Sequence, residues 1–288
     1  RNRLLAFSLI AALGCWDMEE SQEEVFVTIS YETINAFEKD NIFYLEVNRP
    51  DKLNALNKTV LDEMLDAIKS IDVSKYKGAI LTSVGEKAFM AGADIAAMSE
   101  MTPQETQVFA ETGQAVTLAM EDLALPMIAC VHGFALGGGC EMAMSCDFIF
   151  ASKQAVFGQP EVIWGALPAF GGTQRLPKYI GRNRAKELIY SGTFIDVDKA
   201  YEWGLVNRIT DDKASCLEAA VECLKVIGRN GPLAVASAKQ VMNAGNDMSN
   251  KDGLAQEGAV FGVVARSNDK AEGTKAFVEK RHPVFTRT

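Results

Sequence analysis

From Val25 onward, apolar residues first fall in short runs and alternations of the kind that form strands: VFVTIS, IFYLEVN and GAILTSV. Two of these flank DKLNALN, which runs into a helical pattern from Lys58 to Ile71. The rhythm then recurs. GAILTSV is followed by a polar loop and a helical stretch from about Pro103 to Leu123, then by the buried strand PMIACVHG and a helix opening in Gly-Gly-Gly-Cys-Glu. A further pair, DFIFAS and AVFG, leads to another helix near Gly171. Repeated strand-strand-helix units predict an α/β fold, a spiral of stacked sheets with helices outside.

After about Thr210 the pattern changes. CLEAAVECLKVI, LAVASAKQVMNAG, GLAQEGAVFGVVAR and AEGTKAFVEK all place apolar residues three and four apart, as amphipathic helices do. The chain therefore divides into an extension over residues 1–23, a ββα core over 24–210 and a helical region over 211–288. No low-complexity linker separates the last two, so the helices are expected to pack on the core or on a neighbouring subunit.

Composition narrows the class. With 288 residues, 48% of them apolar and 23% charged, the chain can bury a core and is not a disordered segment. The formal net charge of −9, without a basic stripe, argues against a nucleic-acid partner. Six cysteines (Cys15, Cys130, Cys140, Cys146, Cys216, Cys223) lie in apolar segments without a CxxC spacing and read as buried thiols of a reducing compartment. Only His132 and His282 are available as histidine ligands, so no metal site is expected, and a Ser-His-Asp triad is disfavoured.

Three segments carry candidate chemistry. In FALGGGCEMAMSCDFIF a strand meets three glycines and then a helix. Glycines let a ligand approach the backbone, and the free N–H groups of a helix start stabilise a developing anion. Glu141, three residues beyond Gly138, falls on the first turn and puts an acid-base group beside that anion hole. The plain alternative is tight strand-helix packing with a favourable first-turn acid. In KAFMAGADI, where Phe89 is expected to end a strand, Ala91 to Asp94 form either a second source of N–H donors or an ordinary turn. In FGQPEVIWGALPAFGGTQRL, Glu161 is expected at a strand end, and a glycine pair with Thr173 opens a helix.

Taken together, AGADI, ALGGGCE, FGQPE and GGTQRL, in that order and spacing, resemble the enoyl-CoA hydratase (crotonase) family, from Asn48-Arg49-Pro50 with LNALN to the terminal FVEKRHPVF. The resemblance implies a crotonase-type spiral of ββα units with a C-terminal helical region that forms a homotrimer or a dimer of trimers. It makes the N–H groups of Ala93 and Gly138 the oxyanion donors, and Glu141 and Glu161 the catalytic carboxylates. It also places Lys52, Leu53, Ala55, Ala91, Asp94, Ile95 and Ala96 along the substrate groove, with Trp164 and Ala169 near the acyl group and Phe277 and Lys280 over the nucleotide. Glu141 is expected to orient the water as base and Glu161 to protonate C2. No cofactor is implied, since coenzyme A is part of the acyl-CoA thioester substrate.

Three departures from the family pattern stand out: Ala169 where glycine is usual, Trp164 in place of an aliphatic residue, and Ala96 where some relatives have lysine. Trp164 and Phe170 are expected to narrow the acyl pocket towards short chains, the alternative for Trp164 being a place in the core. Because the chain is acidic, contacts to the coenzyme phosphates fall to Arg49, Lys52, Lys87, Lys280 or backbone N–H groups.

The reading is therefore reversible hydration of a trans-2-enoyl-CoA to the 3-hydroxyacyl-CoA, a hydro-lyase of fatty-acid metabolism. Alternatives are a double-bond isomerase, a hydratase of branched acyl-CoA and a non-catalytic binding protein on the same scaffold. The run LLAFSLIAALGCW has the length of a signal-peptide core, but a coenzyme-A enzyme belongs in the cytoplasm, or the mitochondrial matrix of a eukaryote. Residues 1–23 are accordingly set apart from the fold as an upstream extension or remnant, and no stable membrane association is expected.

Overall fold

The computed structural model describes residues 29–288; the signal-like run, Cys15 and most of VFVTIS lie outside the described residues. The chain enters as an antiparallel meander of β1 (Ile29–Ser30), β2 (Ile34–Lys39) and β3 (Ile42–Val47). Lys39 pairs with Ile42, leaving Asp40 and Asn41 as a two-residue loop at φ 56° and 59°, the left-handed pair that a type I′ hairpin requires. The pattern analysis missed β2. Ile34 and Ala36 point into the core, but Phe37 on the other face is only half-buried, stacked on Tyr44 at 4.9 Å, so the alternation is blurred.

A 3-10 turn, Pro50–Lys52, precedes α1 (Lys58–Lys69), whose N-cap Asn57 accepts from the Val60 N–H at 3.0 Å. Then come β4 (Gly78–Ser83), β5 (Ala88–Met90), α2 (Ile95–Ser99) and α3 (Pro103–Asp122). α3 opens with a Thr102–Glu105 capping box and a proline in its first turn, two signals that pin its start. β6 (Met127–Val131), β7 (Phe134–Leu136) and α4 (Gly138–Met144) repeat the unit, as do β8 (Phe148–Ser152), β9 (Val156–Gly158), α5 (Gly172–Ile180) and α6 (Arg182–Ser191). β10 (Phe194–Asp196), α7 (Val197–Glu202) and β11 (Arg208–Thr210) follow, then α8 (Lys213–Ile227), α9 (Pro232–Gly245), α10 (Asn250–Val264) and α11 (Asn268–Glu279).

Each strand pair divides between two sheets. β4, β6 and β8 lie parallel in one sheet of order β1-β2-β3-β4-β6-β8-β11, while β5, β7 and β9 run through a second of order β10-β9-β7-β5. This alternation is the expected spiral. All residues of β4 and β6 are buried, as parallel strands covered on both faces must be. One face of the large sheet meets the main core, with Leu45, Leu81, Met127 and Ala129 against α1, α3 and the second sheet. On its other face Ile42, Ile80, Ile128 and Phe150 are covered by Cys216, Ala220 and Leu224 of α8. The first of the C-terminal helices thus packs directly on the sheet.

α9 is tied down by a buried charge. Lys239 Nζ donates to the Met120 and Leu125 carbonyls at 3.1 and 3.0 Å and to Asp147 Oδ2 at 2.9 Å. Asp147 also accepts from the Met127 N–H at 2.7 Å, so one ion pair joins α9, the end of α3 and the start of β6. Among the described residues no helix is long and apolar enough to cross a membrane.

Candidate active site

The centre of the molecule is organised by glycines that leave no room for a side chain. A β-carbon on Gly139 would lie 2.0 Å from the Met90 carbonyl oxygen, and one on Gly92 would lie 3.2 Å from that of Leu136. The end of β5 and the start of α4 are therefore in backbone contact, which sets Ala93 and Gly138 on neighbouring segments. Gly138 is the first residue of α4, and helix geometry gives its N–H no acceptor within the helix. Ala93 is bridged to Leu56, but that bridge uses the Gly92 carbonyl and the Asp94 N–H, each at 2.8 Å, so the Ala93 N–H points away from it.

The segment opposite is held by a residue that the sequence analysis did not single out. Asn54 is buried in left-handed backbone (φ 55°); its Nδ2 donates to the Val84 and Ala88 carbonyls at 2.9 Å, and its Oδ1 accepts from the Arg49 N–H. Leu53 and Ala55 on either side are thereby registered against Ala91 to Asp94, with Ala91 N–H donating to Leu53 O at 3.1 Å. Arg49 closes the strip through the Ala55 carbonyl and, at 3.2 Å, through Asp94. Asp94 also caps α2, on which Ile95 and Ala96 stand exposed; Lys52 and Leu53 are exposed at the other end of the strip.

The two glutamates converge from different elements. Glu141, on the first turn of α4, is 1% exposed, and its Oε1 accepts from the N–H groups of Phe170 at 2.9 Å and Gly172 at 2.6 Å. Glu161 does not end a strand as expected: β9 stops at Gly158, and Glu161 opens a 3-10 turn, Glu161–Trp164. Likewise Phe89 is the middle residue of β5, not its end. That 3-10 turn leans on the end of α6, where a β-carbon on Gly192 would come within 2.7 Å of Ile163. Gln159, fully buried and also overlooked in the sequence, turns the end of its amide to Glu161, 3.1 and 3.2 Å from the two carboxylate oxygens; with the NH2 assigned to that side it donates to both. Its signal was its place in FGQPE, two residues before the carboxylate.

Burial raises both carboxyls to about 7. For Glu141 the N–H groups of Gly172 and Phe170 oppose the desolvation; for Glu161 the charge of Glu141 adds to it. Near neutral pH the pair can hold one ionised and one protonated member, beside N–H groups suited to an oxyanion. Cys140, also buried here, is pushed up to about 12, chiefly by desolvation, and stays a neutral thiol.

A family model described as enoyl-CoA hydratase/isomerase matches residues 38–288. The chain belongs to this family. Among its enoyl-CoA hydratase relatives, a crotonyl-CoA hydratase of Syntrophomonas wolfei is 41% identical over 261 residues, covering 89% of this chain and 99% of that protein. A short-chain-enoyl-CoA hydratase of Clostridium acetobutylicum is 44% identical over 236 residues, 82% of this chain and 90% of the relative. The crystal structure of an enoyl-CoA hydratase from Bacillus anthracis superposes with a TM-score of 0.85 at 34% identity, covering 89% of this chain and all of that one. The crotonase-type fold is thus established together with the family.

The remaining residues expected at the site lie apart from one another in this chain. Ala169 lies beside the Glu141 donors, its carbonyl accepting from Gln114 Nε2 at 2.9 Å. Trp164 is 65% exposed, which overturns its alternative place in the core; it projects from the outer side of the 3-10 turn while Phe170 is buried. Phe277 is 84% exposed on α11 and Lys280 is exposed at that helix's C-cap; among the described residues Lys280 makes no hydrogen bond to either glutamate. Cys130, Cys140, Cys146 and Cys216 are buried and Cys223 half-buried, and among the described residues no cluster of histidine, cysteine or carboxylate side chains could hold a metal.

Proposed function

We propose that this enoyl-CoA hydratase adds water reversibly across the C2=C3 bond of a short trans-2-enoyl-CoA through Glu141 and Glu161. One observation carries the reading: two carboxyls from separate elements, both raised to about 7, meet beside glycine backbone with N–H groups to spare. As water adds at C3, electron density moves through C2 onto the thioester oxygen. Donors at Ala93 and Gly138 would receive that charge, each worth about 3–4 kcal/mol of barrier.

In this reading Glu141, fixed by the Phe170 and Gly172 N–H groups, is the ionised base that takes a proton from water. Glu161, raised further by the charge of Glu141, is the neutral acid that delivers a proton to C2. No cofactor takes part. Short acyl chains fit the names of the Syntrophomonas and Clostridium relatives.

A homotrimer or dimer of trimers belongs to the same reading. Leu254, Phe261 and Val263 on α10 and Phe277 and Val278 on α11 are each at least 66% exposed in the single chain and need cover. Phe277 and Lys280 would then reach a nucleotide only in the assembly. A cytoplasmic location fits a coenzyme-A substrate.

The test is loss of the conjugated thioester absorbance of crotonyl-CoA by the wild type, Glu141→Gln and Glu161→Gln. Each substitution should slow turnover by roughly a hundredfold or more while the fold persists. Labelled oxygen from solvent must appear in the product; an enzyme that only shifts the double bond would leave it unlabelled.

A further inference from the structure

We propose that Phe170 is the stop of the acyl site, holding this enzyme to short chains, and that Gly113 is the notch in α3 that seats its ring. The inference rests on the hydratase reading above and assigns its chain-length limit to one side chain.

The ring bridges α3 and the reacting centre. On one edge, a β-carbon at Gly113 would lie 2.2 and 2.3 Å from Phe170 Cδ1 and Cε1, so only a glycine in α3 lets the ring approach this far. On the other edge, a β-carbon at Gly138 would lie 2.9 and 3.0 Å from Cε2 and Cδ2, with Leu56 Cδ1 at 3.1 Å. Phe109 meets the ring edge-to-face at 5.4 Å, and Phe170 is only 4% exposed. A thioester whose oxygen sits on the Gly138 N–H has its reacting carbons beside Glu141, and Glu141 is itself held by the Phe170 N–H. The ring therefore begins where the reaction ends. An acyl tail directed towards α3 meets it within a few methylenes.

The ring is also denied an easy way out, because its backbone is gripped on both sides. The Phe170 N–H is bound to Glu141, and its carbonyl accepts from Arg175 Nη1 at 2.8 Å and Thr117 Oγ1 at 3.2 Å. Gln114 takes the preceding carbonyl, and Arg175 is fixed by Glu121 through two bonds of 2.7 Å. Gln114 and Thr117 flank the notch on α3, so one helix both receives the ring and clamps its backbone. Moving the Phe170 backbone to make way for a longer chain would break the bond that places Glu141. Trp164, the other aromatic candidate from the sequence, faces solvent and closes nothing in this chain.

The experiment compares kcat/KM for four-carbon and ten-carbon trans-2-enoyl-CoA in the wild type, Phe170→Ala and Phe170→Leu. Since a single methylene in an apolar pocket is worth roughly 10- to 200-fold, the wild type should favour the four-carbon substrate by at least about tenfold. Phe170→Ala should shift the ratio towards the ten-carbon substrate by about tenfold or more, and Phe170→Leu by a smaller factor, about threefold. Should the alanine variant fail to fold by circular dichroism, the leucine variant decides. A wild type indifferent to length, or a folded variant whose ratio stays within about twofold of the wild type, overturns the assignment to Phe170 and leaves hydration standing. A wild type inert to both substrates overturns hydration and the inference with it.

Discussion

Glu161 stands directly over Gly137: a β-carbon on the glycine would lie 2.6 Å from Glu161 Oε1. Gly137 also occupies φ 51°, ψ −123°, a conformation essentially reserved for glycine, so close approach and backbone angle impose the same residue. Gly137→Ala should cost about 1–3 kcal/mol of stability from the backbone alone. By displacing Glu161 it should also reduce hydration by about a hundredfold or more. Denaturant unfolding beside crotonyl-CoA turnover checks both; a stable variant of normal activity would mean that Glu161 is not held where the geometry puts it.

With both carboxyls raised to about 7, hydration should follow a bell-shaped pH profile centred near neutrality. Below the bell both groups are protonated and the base is lost; above it both are ionised and the acid is lost. The two apparent values belong to the coupled pair, and Glu141→Gln or Glu161→Gln should abolish one limb. Measuring kcat/KM across the range decides, and a profile flat through neutrality would contradict the acid-base pair.

The same burial has a stability consequence with a definite sign. Folded-state values lie above the ordinary 4.5, so as pH rises the unfolded chain releases these protons first, and stability falls between about 4.5 and about 7. For Glu141, at 1% exposure, the loss is roughly 3 kcal/mol when complete. Glu141→Gln should flatten that part of the dependence, read as the change in unfolding midpoint between acidic and mildly alkaline buffer relative to the wild type.

Lys239→Met should destabilise the protein by about 1–3 kcal/mol, because it leaves the partly buried Asp147 without its cation and two carbonyls without their donor. Burial already raises the Asp147 carboxyl, opposed first by Lys239, so the loss should grow as pH rises and Asp147 ionises. Unfolding at two pH values measures it. Equal losses at both would show that the lysine acts by packing alone.

Much of this protein could be read from the order of its residues. The helix over Lys58–Lys69, the capped start of α3, the buried strand of PMIACV and the α4 opening in three glycines all carry local signals: period, cap, breaker. Family membership followed from AGADI, ALGGGCE, FGQPE and GGTQRL for the same reason, since each motif is a turn whose chemistry sits in adjacent residues. Tertiary structure alone decided the rest. The division of each strand pair between two sheets depends on contacts far apart in sequence, and β2 was hidden because its outer face is half-covered by Tyr44. The place of Glu161 on a turn, the Gln159 amide set against it, the raised values of both glutamates and the seat of Phe170 against Gly113 arise between separate elements. Local pattern records which way a residue faces along its own helix or strand; burial and close approach depend on what packs opposite, and only the folded chain brings that partner in.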